Sequence, residues 1–188
     1  MSAIKYQKNA ENIVILTLDS SGQSANTMNA EFRDSLDAVN QQLQAETDLS
    51  GIIFRSAKKT FFAGGDLDEL IQIQPEHATD FFKMVEKLKG NLRGIETLGV
   101  PVVAALNGTA LGGGWEIALG CHYRIAINDP KTQFGLPEVT LGLLPFVFVV
   151  CIKIASIFST SASSLSICVF NRLEISLIAS SKLIKSCA

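Results

Sequence analysis

Four short runs rich in β-branched and apolar residues, separated by helical stripes or glycine turns, set the limits on what this chain can become. They are "IVILTL" (13–18), "GIIF" (51–54), "VVAAL" (102–106) and "YRIAI" (123–127), each bounded by turn signals. Between the first and second, Phe32, Leu36, Val39 and Leu43 recur at helical spacing after a candidate cap at Thr27 or Asn29. Between the second and third, Phe81, Val85, Leu88, Leu92 and Ile95 repeat that stripe before Gly99 and Pro101 close the segment. Both stripes read as core. Strands alternating with helices predict a layered α/β domain.

At 188 residues the chain is long enough for one domain with a substantial core. Lys+Arg (16) nearly balances Asp+Glu (18), for a formal charge of −2, so there is no basic footprint and no nucleic-acid partner is expected. The opening "MSAIKYQKNAEN" lacks a cationic stretch followed by an apolar one, so no secretory signal is expected. Four cysteines form no C-x-x-C pair, and only Cys121 precedes residue 146. That argues against a disulfide framework or a thiolate zinc site and for a reducing, cytoplasmic setting. His77 and His122 lie far apart and offer no metal-ligand spacing. No metal and no membrane partner are expected.

All fourteen glycines and all five prolines lie within residues 1–145. Residues 146–188 instead hold ten serines, seven isoleucines and one acidic residue, Glu174, with neither a clean stripe nor turn punctuation. A membrane anchor is disfavoured by Lys153 and the serine density, and an unusual native helical region is a second reading. The favoured expectation is a shifted reading frame or damaged gene end after Pro145. Function is therefore read from residues 1–145.

Within that portion "LNGTALGGGWEIALGC" (106–121) leaves a strand and enters a helix near residue 113 through Gly112, Gly113 and Gly114. The first amides of a helix lack partners within it. Glycine lets such backbone approach a ligand closely, and the helix dipole favours an oxygen that gains negative charge. A tight turn or close helix packing would explain the same glycines. A second turn, "TFFAGGDLDEL" (60–70), places Gly64 and Gly65 before Asp66. It could supply a second amide to an oxyanion hole, while Asp66 reads more simply as a helix N-cap. Glu116, in the first turn of its helix, is either a capping residue or a carboxylate that holds and deprotonates a water. Glu138 follows Pro137, a favoured first helical residue. Its neighbours Phe134, Leu136, Val139 and Leu141 suggest an apolar lining instead of a surface helix start. Two carboxylates in unlike surroundings can divide acid and base duties. There is no G-x-S-x-G elbow, no P-loop and no strand-borne G-x-G-x-x-G.

"FFAGGDL", "PVVAALNGTALGGGWEIALGCHYRIA" and "FGLPEVTLGLLP" resemble, in order and spacing, the signature blocks of the enoyl-CoA hydratase/isomerase (crotonase) superfamily. The resemblance covers approximately residues 10–145. With His122 and "INDPKTQFGLPEVTLGLLP" the chain looks most like the N-terminal hydratase module of multifunctional β-oxidation proteins, which carry a 3-hydroxyacyl-CoA dehydrogenase module further on. The resemblance implies a crotonase-like spiral of ββα units, an acyl-CoA substrate and no required cofactor beyond the coenzyme A of that thioester. Gly65 and Gly113 would donate the oxyanion-hole amides. Glu116 and Glu138 would be the catalytic pair. Ala63 would present its carbonyl to the adenine, with Asp66 and Gly112 bordering the substrate. The family tends to trimers or multienzyme complexes. It continues past Pro145 with a P-G-x-G-G turn, where this chain reads "LLPFVFVVC". That departure leaves an inactive truncated fragment as an alternative expectation; an isomerase or hydrolase on the same scaffold is another, since fold does not fix reaction.

Overall fold

The computed structural model describes residues 2–138 and, as backbone, the strand Ile167–Asn171. Strands β1 (Ile4–Lys8) and β2 (Ile13–Leu18) form an antiparallel hairpin. Its turn is held by Asn9, whose side-chain oxygen accepts from the amides of Glu11 and Ile13. Helix α1 (Ala30–Gln44) follows. Of the two candidate caps it is Asn29 that starts the helix, its side chain accepting from Phe32 N at 2.9 Å. Thr27 instead donates to Gln23. Strand β3 (Gly51–Ser56) runs parallel to β2.

Helix α2 (Leu67–Ile71), a short 3₁₀ turn at Pro75–His77 and helix α3 (Ala78–Glu96) lead to β4 (Val102–Leu106), parallel to β3. Then come β5 (Ala110–Leu111), helix α4 (Gly113–Gly120), β6 (Tyr123–Ile127) and β7 (Phe134–Gly135). Strand β8 (Ile167–Asn171) pairs antiparallel with β6. The main sheet has the order β1-β2-β3-β4-β6-β8, and β5 pairs with β7 in a small second sheet. Parallel neighbours need crossover connections, and here helices supply them. The architecture is the mixed α/β arrangement expected.

The four runs read from the sequence all form strands. The sequence pattern does not mark strand β1, because "IKYQK" buries only Ile4 and so carries little alternation. On one face of the sheet Val14, Leu16, Leu18, Ile52, Phe54, Val102, Ala104 and Leu106 join Phe32, Leu36, Val39 and Leu43 of α1 in the main core. Burying the Val, Leu, Ile and Phe side chains among them stabilises by about 1.5–3 kcal/mol each.

The stripe on α3 divides. Leu88 and Ile95 are buried and Leu92 packs against the core, but Phe81 and Val85 face an open cleft. The C-terminal half of α3 is tied to α1 through Asn40 and Asn91 at 3.1 Å and through Gln44 to the Gly94 carbonyl at 3.4 Å. Toward the N-termini of the two helices, the space between them is the cleft. The core reading of Phe81 and Val85 is thus corrected: helical spacing marks an apolar face, and nothing in it says whether a neighbour fills the space. Among the described residues no helix is long and apolar enough to cross a membrane. Val139, Leu141 and the segment 146–188, apart from the β8 backbone, lie outside the described residues.

Candidate active site

The two glycine turns meet. Residues 61–65 run beside β5: the Leu111 amide donates to the Phe62 carbonyl at 3.1 Å, and Phe62 pairs with Ala110. Gly64 has φ +104° and Gly112 has φ +51°, conformations that side chains rarely adopt. The same two residues lie side by side. A methyl group on Gly112 would lie 3.6 Å from the Gly64 Cα, and one on Gly64 would lie 3.3 Å from the Leu111 carbonyl oxygen. Gly114 serves packing, since a methyl there would stand 2.4 Å from the Phe62 Cβ.

Gly113 is the first residue of α4, and the Gly112 carbonyl accepts the first helical bond, from Glu116 N at 3.0 Å. The Gly113 amide therefore sits at the positive end of the helix dipole, without an intrahelical partner. At the other end of α4 the buried Arg124 donates to the carbonyls of Ala118 (3.0 Å) and Cys121 (2.9 Å), a cation where the dipole is negative. Gly65 pairs with Met28 through the neighbouring Gly64 carbonyl, which accepts from Met28 N at 2.9 Å. The Gly65 amide takes no part in that bond. Met28 links the two turns, because its Cε lies 2.8 Å from the point a methyl on Gly113 would occupy.

Both glutamates are buried, Glu116 at 2% and Glu138 at 7% exposure, which rules out a surface helix start for Glu138. Glu116 Oε2 lies 3.9 Å from the Cβ position of Gly113, and Glu138 Oε1 lies 2.6 Å from that of Gly112. Glu138 reaches this place because β7 pairs with β5, with the Gly112 amide donating to the Gly135 carbonyl at 2.9 Å. Trp115 of α4 and Phe134 of β7 stack with ring centroids 5.1 Å apart. The fold therefore gathers Gly112, Gly113, Glu116 and Glu138 at one point, with Gly64 and Gly65 alongside. Asp66 caps α2, accepting from the amides of Asp68 and Glu69. Ala63 is exposed, its amide donating to the Asn26 carbonyl at 2.8 Å.

Beside Gly65 opens a cleft enclosing about 390 Å³, solvent included, walled by Met28, Leu70, Ile73, Phe81, Met84, Val85 and Leu88. Its polar rim is Arg33, Asp66 and Glu69. Arg33 donates to Glu69 at 2.8 Å and to the Met28 carbonyl at 2.9 Å, while Glu69 accepts from Ala30 N. Met28, Arg33 and Glu69 were not singled out in the sequence, which has no local signal for a contact between segments so far apart. Among the described residues no group of three His, Cys, Asp or Glu could hold a metal ion.

Comparison with known families settles the kinship. The sequence profile of enoyl-CoA hydratase/isomerase matches residues 8–165. The chain belongs to that family. Its fold is similar to the crystal structure of an enoyl-CoA hydratase from Bacillus anthracis, with 30% identity over 77% of this chain and 54% of that one, at a TM-score of 0.67. It is also similar to DspI from Pseudomonas aeruginosa (27% identity, 78% of this chain, 53% of that one, TM-score 0.66). An enoyl-CoA hydratase from Thermoplasma volcanium GSS1 gives 25% identity, 76% and 54% coverage and a TM-score of 0.64. The chain spans about half the length of each of these relatives. Membership in the enoyl-CoA hydratase/isomerase family accords with the crotonase-like α/β fold expected from the three sequence blocks.

Proposed function

We propose that this chain hydrates trans-2-enoyl-CoA thioesters to 3-hydroxyacyl-CoA, as the hydratase module of a cytoplasmic, multifunctional β-oxidation protein. The observation that carries the reading is the seating of two buried carboxylates on adjacent glycines, Glu116 at Gly113 and Glu138 at Gly112, where a helix begins. An isomerisation needs one group to move a proton between carbons, whereas adding water needs one to activate the water and another to deliver a proton.

The amides of Gly113 and Gly65 polarise the thioester carbonyl and stabilise the enolate-like charge that follows attack. Each such donor contributes about 3 kcal/mol to lowering the barrier. Glu116 takes a proton from the water that adds to C3. Glu138 delivers a proton to C2. The proton count balances, and the step calls for no metal or redox cofactor. The cleft next to Gly65 receives the acyl chain, and the carbonyl of the exposed Ala63 meets the adenine.

The test is loss of conjugated enoyl-thioester absorbance from crotonyl-CoA, with product identified by mass. Glu116→Gln and Glu138→Gln are each expected to lower kcat by about 10²–10⁴-fold while the protein still binds the CoA thioester. Wild-type rates in both variants would overturn the assignment. Conversion of a 3-enoyl-CoA without hydration of crotonyl-CoA would make the chain an isomerase.

A further inference from the structure

Asn26 is wholly buried and no step of the proposed reaction uses it. Its side-chain oxygen accepts from Ser20 N at 2.9 Å. Its amide nitrogen lies within bonding distance of three acceptors: the Ser56 Oγ (2.9 Å), the Phe61 carbonyl (3.2 Å) and the Leu18 carbonyl (3.3 Å). The Asn26 carbonyl in turn accepts from Ala63 N at 2.8 Å. Ser56 carries the grip further, donating to the Thr60 carbonyl at 2.7 Å. One residue thus holds the ends of β2 and β3 and both flanks of Phe62, immediately ahead of Gly64 and Gly65.

Two residues later in the chain, Met28 N donates to the Gly64 carbonyl and Met28 Cε abuts Gly113. Residues 26–28 form a strap that touches both amide-bearing turns. An amide side chain is needed at its head. It alone at this length offers one acceptor and two donor hydrogens, and a buried group left without its partner costs its full desolvation penalty.

We infer that Asn26 is a positioning residue for the oxyanion hole, setting through Phe61 and Ala63 the direction of the Gly65 amide relative to that of Gly113. The inference rests on the hydratase reading of those amides. Displacing one donor by about 1 Å is enough to cost on the order of 10²-fold in rate.

The test is the carbonyl stretch of butyryl-CoA labelled with ¹³C at the thioester carbon, recorded by infrared difference spectroscopy on the full chain. Wild type is expected to lower the frequency relative to the free thioester in buffer. Asn26→Asp keeps the shape and the acceptor but removes at least one of the two donor hydrogens. It is expected to return the band most of the way to its free value and to lower kcat on crotonyl-CoA about 100-fold, with KM changed by less than threefold. Thermal unfolding monitors its fold. Ser56→Ala, which removes one partner only, is expected to move the band part of the way and decides the matter should Asn26→Asp not fold. A shifted band in wild type that stays unmoved in the folded variants would make Asn26 a packing residue and overturn the inference. No shift in wild type would overturn instead the oxyanion reading of Gly65 and Gly113.

Discussion

Glu138 Oε1 stands 2.6 Å from the point where Gly112 would carry a Cβ. The carboxylate occupies the room that glycine leaves, in a residue whose φ of +51° already demands glycine. Backbone conformation and carboxylate position are therefore coupled at one residue, and the three consecutive glycines have three separable tasks.

Substitution by alanine separates them. Gly112→Ala is expected to destabilise by roughly 1–3 kcal/mol through backbone strain and to displace Glu138, so the proposed hydration is expected to fall along with stability. Gly114→Ala meets the Phe62 Cβ at 2.4 Å and the Phe62 carbonyl oxygen at 2.8 Å. It is expected to cost about 1–3 kcal/mol by overpacking. Gly113→Ala comes closest to the end of the flexible Met28 side chain, at 2.8 Å, with Glu116 Oε2 at 3.9 Å, and is expected to be the mildest of the three for stability. Urea unfolding of the three variants gives the order; a Gly113→Ala more damaging than Gly114→Ala would contradict it.

Asn29 starts α1 and Thr27 does not, so the two neighbouring polar residues are expected to respond differently. Asn29→Ala loses the bond to Phe32 N and about 1 kcal/mol of stability. Thr27→Ala, which removes only an exposed bond to Gln23, is expected to fall within about 0.5 kcal/mol of wild type. Equal losses in denaturant midpoint would show that the helix begins elsewhere.

His122 Nδ1 accepts from Val102 N at 3.1 Å, and burial lowers the imidazole pKa below the ordinary 6.5. The unfolded chain thus binds the proton at higher pH than the folded one. The stability this contributes is complete above pH 6.5 and is lost as pH falls from there through the folded value. The thermal midpoint of wild type is expected to drop on going from pH 7.5 to 5.5, and that of His122→Asn to drop less. Parallel profiles would remove His122 as the cause.

Cys121 is buried, donates to the Ile117 carbonyl at 3.3 Å and has its thiol pushed up to about 12 by burial. Since the thiolate is the reactive form, iodoacetamide is expected to spare it in the native protein and modify it at the rate of unfolding. Peptide mapping by mass distinguishes Cys121 from the other cysteines. Rapid native alkylation at this residue would show that α4 opens.

The amino-acid sequence by itself determined four strands of the main sheet (β2, β3, β4 and β6), the two helical stripes, the glycine turns and the Asp66 cap. Each of these is a local matter: the spacing of apolar residues says which face turns inward, and glycine says where the backbone bends beyond what a side chain permits. It also set Glu116 one turn from Gly113, because helical geometry places near neighbours without reference to the rest of the chain. Only the tertiary structure decided that Glu138 returns to Gly112 through the β5–β7 pairing, that Asn26 and Met28 strap the two turns together, and that Phe81 and Val85 line a cleft where their stripe predicts core. Those outcomes depend on which distant segments meet. Periodicity can mark a surface for burial, but the partner is chosen by the crossing of chains that are tens of residues apart.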